Sequence, residues 1–117
     1  PFDWALGQGY DKIVVIRTRH RSYRKPPKEQ NTAEAVYRRW PEFARNVDRI
    51  HTVYNGLCDR LEELERSGRV FVLAPERPIT VSRVEGDTEK LGALYWQGYT
   101  EGLNSLEALS KYLGQPL

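Results

Sequence analysis

The chain has 117 residues, of which 39% are hydrophobic and 29% charged, with a formal net charge of +2. That length fits one domain, and that balance is too apolar for a disordered segment and too polar for a membrane span. The single cysteine, Cys58, excludes an internal disulfide and fits a reducing compartment; no apolar run approaches the ~20 residues of a transmembrane helix, and no signal-peptide pattern opens the chain. The sequence begins at Pro1 and contains no methionine, so it reads as a piece of a longer protein.

Pro1 to Gly9 predicts a short helix, with Pro1 suited to a first turn and Gly7 or Gly9 to its end. Phe2, Ala5 and Leu6 would share a face. Lys12 to Arg17 predicts a strand. Its four consecutive aliphatics, Ile13 to Ile16, are the pattern of a strand buried on both faces of a parallel sheet. The chain then turns basic at once, with Arg17, Arg19, Arg21, Arg24 and Lys25, and with His20 among them, until Pro26-Pro27 closes the loop. In open parallel sheets, functional groups gather beyond the carboxyl ends of the strands, which is where this loop lies.

A helical block opens at Asn31. Asn31 and Glu34 have capping-box spacing, and Ala33, Val36, Tyr37 and Trp40 recur at helical intervals. Pro41 interrupts that helix and can start the next. From Val47 the pattern is regular, with Val47, Ile50, Tyr54, Leu57, Cys58, Leu61 and Leu64 on one arc and charges opposite, until Gly68 stops it. Val70 to Leu73 predicts a second buried strand, followed by a turn bracketed by Pro75 and Pro78. Ile79 to Arg83 alternates and suits either a short edge strand or an extended segment. Asp87 is a good N-cap for a long helix, Thr88 to Leu113, with Leu91, Leu94, Tyr95, Tyr99, Leu106, Leu109, Tyr112 and Leu113 on its apolar stripe. Gly98 and Gly102, four apart, would let another element approach. Trp96 falls outside the stripe and could meet a missing domain or a membrane interface.

The expected class is therefore α/β and helix-rich, with two parallel strands plus long helices: residues 1–30 as helix, strand and basic loop, and residues 31–117 as a helical segment with one further strand. Two parallel strands are marginal alone. The rest of a sheet, or self-association, would have to cover them.

Three stretches carry a family resemblance. Pro1-Phe2-Asp3-Trp4-Ala5-Leu6, with Gly9-Tyr10-Asp11-Lys12 through Arg19 and the loop Arg21-Ser22-Tyr23-Arg24-Lys25, is the first. Tyr54-Asn55 followed by Leu61 through Val72 is the second, and Pro78 through Arg83 leading to Lys90-Leu91 and Tyr95 through Tyr99 is the third. In this order and spacing they resemble the C-terminal region of bacterial patatin-like phospholipases. The resemblance implies a three-layer α/β fold and a parent protein that hydrolyses lipid acyl esters with a Ser-Asp dyad. The family's Gly-x-Ser-x-Gly turn and Asp-Gly-Gly or Asp-Gly-Ala motif do not occur in the chain: none of Ser22, Ser67, Ser82, Ser105 and Ser110 has glycines two residues away on both sides, and Asp3, Asp59 and Asp87 precede Trp, Arg and Thr. No catalytic residue is carried over, and the chain alone is expected to be inactive.

The resemblance implies a non-catalytic part that completes the sheet and caps the acyl-ester site. Its partner would be the N-terminal catalytic part of the same protein. It would be cytoplasmic, or peripheral at the membrane if the loop meets lipid. The alternative is a binding module in which Arg17, Arg19, Arg21, Arg24 and Lys25 contact an anionic lipid or phosphate; a third reading is a structural or oligomerisation element. The ordinary fate of such a charge run is a solvated loop. Nucleic acid is not an expected partner, since no such binding motif occurs. No cofactor or metal is implied, because no Cys/His cluster has ligand spacing. His20 reads as a surface residue, His51 as a half-buried structural one and Cys58 as a small hydrophobe.

Overall fold

The computed structural model describes residues 2–27 and 36–116. The capping box of Asn31 and Glu34, with Ala33, lies outside them. The described elements are α1 (Phe2–Gly7), β1 (Val14–Ile16), α2 (Pro41–Arg66), β2 (Phe71–Leu73), α3 (Thr88–Asn104) and α4 (Leu106–Leu113). They fall into two compact units. One comprises Pro1–Tyr23 and Glu65–Leu117, the other Arg24–Leu64.

Local chemistry accounts for most boundaries. Gly9, Gly68 and Gly114 adopt positive φ, the left-handed conformation that glycine enters without a Cβ clash. Gly68 and Gly114 thereby end α2 and α4, their N–H groups donating to Glu65 O and Ser110 O. Pro41 is the first residue of α2, where its missing N–H costs nothing. The chain turns just before it, Trp40 N–H donating to Tyr37 O, so Tyr37 and Trp40 are not on a helical stripe as expected. Asp87 caps α3 as predicted, its Oδ1 accepting from Glu89 N–H at 3.0 Å and Lys90 N–H at 3.2 Å.

The single long helix expected over Thr88–Leu113 is instead two. At Ser105 the hydroxyl donates to Glu101 O at 2.8 Å, while the backbone N–H is shared between Glu101 O and Gly102 O. A hydroxyl that back-bonds to the preceding turn competes with the helical ladder, and here it interrupts it. Ile79–Arg83 forms no strand.

β1 and β2 pair in parallel, Val14 opposite Phe71, Val15 opposite Val72 and Ile16 opposite Leu73. Alternation puts Ile13, Val15, Val70 and Val72 on one face of this sheet and Val14, Ile16, Phe71 and Leu73 on the other. The first face is the core of its unit, with Ile13, Val70 and Val72 buried; Ala44, Cys58 and Leu61 are the buried residues of the other unit. The second face is only partly covered. The Tyr112 ring of α4 packs on Phe71 at 5.5 Å between centroids, but Val14 remains 38% and Ile16 75% exposed. The expectation that β1 is buried on both faces thus holds for one face only, because Ile16 borders an open cavity instead of packed side chains.

Nor does another element approach Gly98 and Gly102. A Cβ on either would meet nothing within 4 Å, and a shallow cavity of about 270 Å³ separates this side of α3 from Ile16 and Leu73. Gly98→Ala should therefore stabilise the chain by about 0.5–1 kcal/mol through helix propensity alone. A raised thermal midpoint checks this; a lowered one would mean that the space is filled in solution.

Candidate functional site

The basic loop was the strongest site candidate in the sequence, and its residues separate. Arg17, Arg19 and Arg21 belong to the unit that contains the sheet; Arg24 and Lys25 belong to the other.

In the first unit a turn closed by Tyr23 N–H donating to His20 O folds the loop back on itself. Arg17 donates to Arg21 O at 3.2 Å, and the Arg19 guanidinium stands 5.2 Å over the Tyr23 ring. Arg21 has two partners. It pairs with the Glu65 carboxylate, and its Nη2 donates to Val72 O at 2.8 Å. In a parallel pair alternate residues turn their backbone groups to opposite sides. Phe71 N–H donates to Ile13 O and Arg17 N–H to Leu73 O, so Val72 O lies on the side of β2 away from β1. Arg21 therefore closes the outer edge of β2. On β1 the corresponding outward groups are those of Val14 and Ile16, and among the described residues nothing pairs with them.

In the second unit Arg24 reaches α2. Its Nε and Nη2 donate to Asp59 Oδ1 at 3.1 and 2.7 Å, and Nη2 also to Glu62 Oε1 at 2.8 Å. Hydrogen bonds to Glu62 and then Asp59 hold the guanidinium above its ordinary range, so it stays charged at every working pH. Lys25 is held by its backbone: its N–H donates to Asn55 Oδ1 at 2.8 Å, and Asn55 Nδ2 donates to Lys25 O at 3.0 Å. The Asn55 amide thus reads this extended segment as a neighbouring strand would. Lys25 Nζ lies 4.7 Å over the Tyr54 ring.

One contact escaped the sequence reading. Ser22 Oγ and His20 Nδ1 lie 3.0 Å apart. A hydroxyl beside an imidazole is the first requirement of a Ser-His nucleophile. The remaining requirements are a carboxylate on the other ring nitrogen and converging N–H donors for an oxyanion. No carboxylate pairs with the other ring nitrogen among the described residues, and the two-residue separation makes the contact one of the turn itself. No group of three metal-ligating side chains occurs among the described residues. Cys58 is buried, as a small hydrophobe should be, and His51 is half-buried with its Nε2 3.2 Å from Thr52 Oγ1. Among the described residues no helix is long and apolar enough to cross a membrane.

Residues 40–114 match a family described as a domain of unknown function, DUF6363. The chain belongs to this family. No curated protein and no solved structure matches it. The DUF6363 segment begins at the turn before α2 and ends at the glycine after α4, so it contains α2, β2, α3 and α4. The partner strand β1 and all five cations of the basic loop lie outside it. The DUF6363 segment thus supplies one parallel strand and takes its ladder partner from the residues before it.

Proposed function

We propose that this chain is the non-catalytic C-terminal part of a patatin-like phospholipase or related lipid acyl hydrolase. In this role it completes the parallel sheet of a preceding catalytic part and caps its acyl-ester site, in the cytoplasm or at the membrane periphery. The observation that carries the reading is the asymmetry of the two strands. β2 is finished as a sheet edge, its Val72 carbonyl taken by Arg21. β1 is the other edge of the two-stranded sheet and has no such cover among the described residues, with outward backbone groups and an exposed Ile16. An exposed apolar strand edge is a template for another strand, and proteins ordinarily cover or charge such edges. Further strands would therefore add to β1. The patatin resemblance supplies their identity, and the lack of Gly-x-Ser-x-Gly and Asp-Gly-Gly motifs makes this part non-catalytic.

The test compares the 117-residue chain with the longer reading frame that encodes it. The longer protein should carry both motifs upstream and hydrolyse a p-nitrophenyl acyl ester, while the chain alone should match the blank. Ile16→Asp in the longer protein should shift it from the soluble to the insoluble fraction, because the charge would enter the sheet. An upstream sequence without either motif, or serine-dependent hydrolysis by the chain alone, sinks the proposal.

A further inference from the structure

An apolar stripe on a helix ordinarily faces a core. On α3 it does not: none of its residues is buried, and Trp96, outside the predicted stripe, and Leu103 join the stripe residues Leu91, Tyr95 and Tyr99 on one exposed face. Leu91, Tyr95, Trp96, Tyr99 and Leu103 are all exposed, the three rings by 63%, 62% and 51%. At 3.6 residues per turn these five side chains fall within about 140° of arc and extend ~18 Å along the axis. The rings are already packed together. Tyr95 meets Trp96 edge-on at 5.3 Å, Trp96 meets Tyr99 edge-on at 5.6 Å, and Tyr95 stacks with Tyr99 at 6.3 Å. No charged residue lies on the arc: Lys90 and Glu101 fall on the opposite side, and Glu101 is engaged by Gln97 and by the N–H of Glu76.

We infer that this face is a homodimer contact, covered by the same face of a second copy of the chain. Area is the first argument. At the exposures above, the rings and two leucines present roughly 600 Å² per copy, so two copies would bury about 1,200 Å², the floor of a stable interface. Composition is the second. Trp and Tyr are the residues that dominate such contacts, and a pre-packed ring cluster loses little freedom on binding. Charge is the third. A two-fold contact places a face against itself, so it cannot satisfy a net charge, and this face has none. An anionic lipid surface is the poorer occupant, since the charged residues leading into the face, Glu85, Asp87 and Glu89, are acidic, and Lys90 lies on the opposite side and pairs with Asp87. The inference is independent of the patatin reading, which concerns β1.

Sedimentation equilibrium of the 117-residue chain tests it. A reversible dimer is expected, with a Kd on the order of 10 µM, given the small area. Association should hold or tighten from about 0.1 to about 0.5 M salt, because the flanking charges are acidic and repel. Trp96→Glu with Tyr99→Glu should weaken it at least ~10-fold with an unchanged far-UV spectrum. Leu103→Gln is the milder variant if the double change unfolds the helix. Ile16→Arg should leave the dimer intact. A monomer at high concentration, a dimer that survives the α3 changes, or a dimer dissolved by Ile16→Arg alone would each overturn the inference. So would a monomer that co-sediments with phosphatidylcholine vesicles.

Discussion

Replacing Tyr112 with Phe should lower the stability of the chain by about 1–3 kcal/mol, the cost of leaving buried or half-buried polar groups unpaired. The hydroxyl of Tyr112 accepts from Ile13 N–H at 3.1 Å, and its own proton lies within reach of Arg69 O at 3.0 Å and Ile13 O at 3.3 Å. One atom near the C-terminus thus ties the residues just before both strands to α4. The Phe variant keeps the ring on Phe71 and leaves the surface for the Lys12 ammonium, 4.6 Å from the ring centroid, so it isolates the hydroxyl. Ile13 N–H loses its partner outright; Ile13 O keeps Phe71 N–H. A lower urea midpoint at constant slope, with faster exchange of the Ile13 amide, is the expected measurement. A change under about 0.5 kcal/mol would mean that water replaces the hydroxyl there.

Arg24→Ala should cost about 1–2 kcal/mol. Two charge-assisted contacts to Asp59 and one to Glu62 disappear, and the two carboxylates, one helical turn apart, are left to repel. The figure sits below that of a buried pair because Arg24 is partly and Asp59 largely open to solvent. Arg24→Lys should recover only part of it, since an ammonium cannot reproduce the fork. The pH dependence has a definite sign. The folded value of Arg24 is raised, so its contribution is complete below the ordinary arginine range and lost only as pH rises through the raised value. The decrement should accordingly be flat from about pH 8 to pH 10. A decrement that shrinks over that interval would reject the ion-pair account. This variant also separates two meanings of the basic loop: Arg24 anchors it to α2, whereas Arg19 lies outward over Tyr23.

What could be read along the chain is what neighbouring residues decide. The aliphatic runs at Ile13–Ile16 and Val70–Leu73 became the two strands, and in parallel. Pro41, Gly68, Asp87 and Gly114 set helix ends, because a proline ring, a positive φ or a carboxylate beside a free N–H acts within one turn. Ser105 was equally local and was missed: its hydroxyl has a helical alternative that apolar periodicity does not register.

The sequence by itself determined the α/β class, the parallel pair, most helix ends and the lack of the patatin motifs, because each depends on residues a few positions apart. Only the tertiary structure decided which groups the basic loop pairs with and which apolar side chains stay exposed. The carboxylates that engage Arg21 and Arg24 are 35 to 44 residues away along the chain, and the hydroxyl that holds Ile13 is 99 away. A charge run shows its sign in the sequence but not its partners, and a stripe shows that it is apolar but not whether anything covers it. Those depend on which distant segments the fold brings within hydrogen-bond or van der Waals reach.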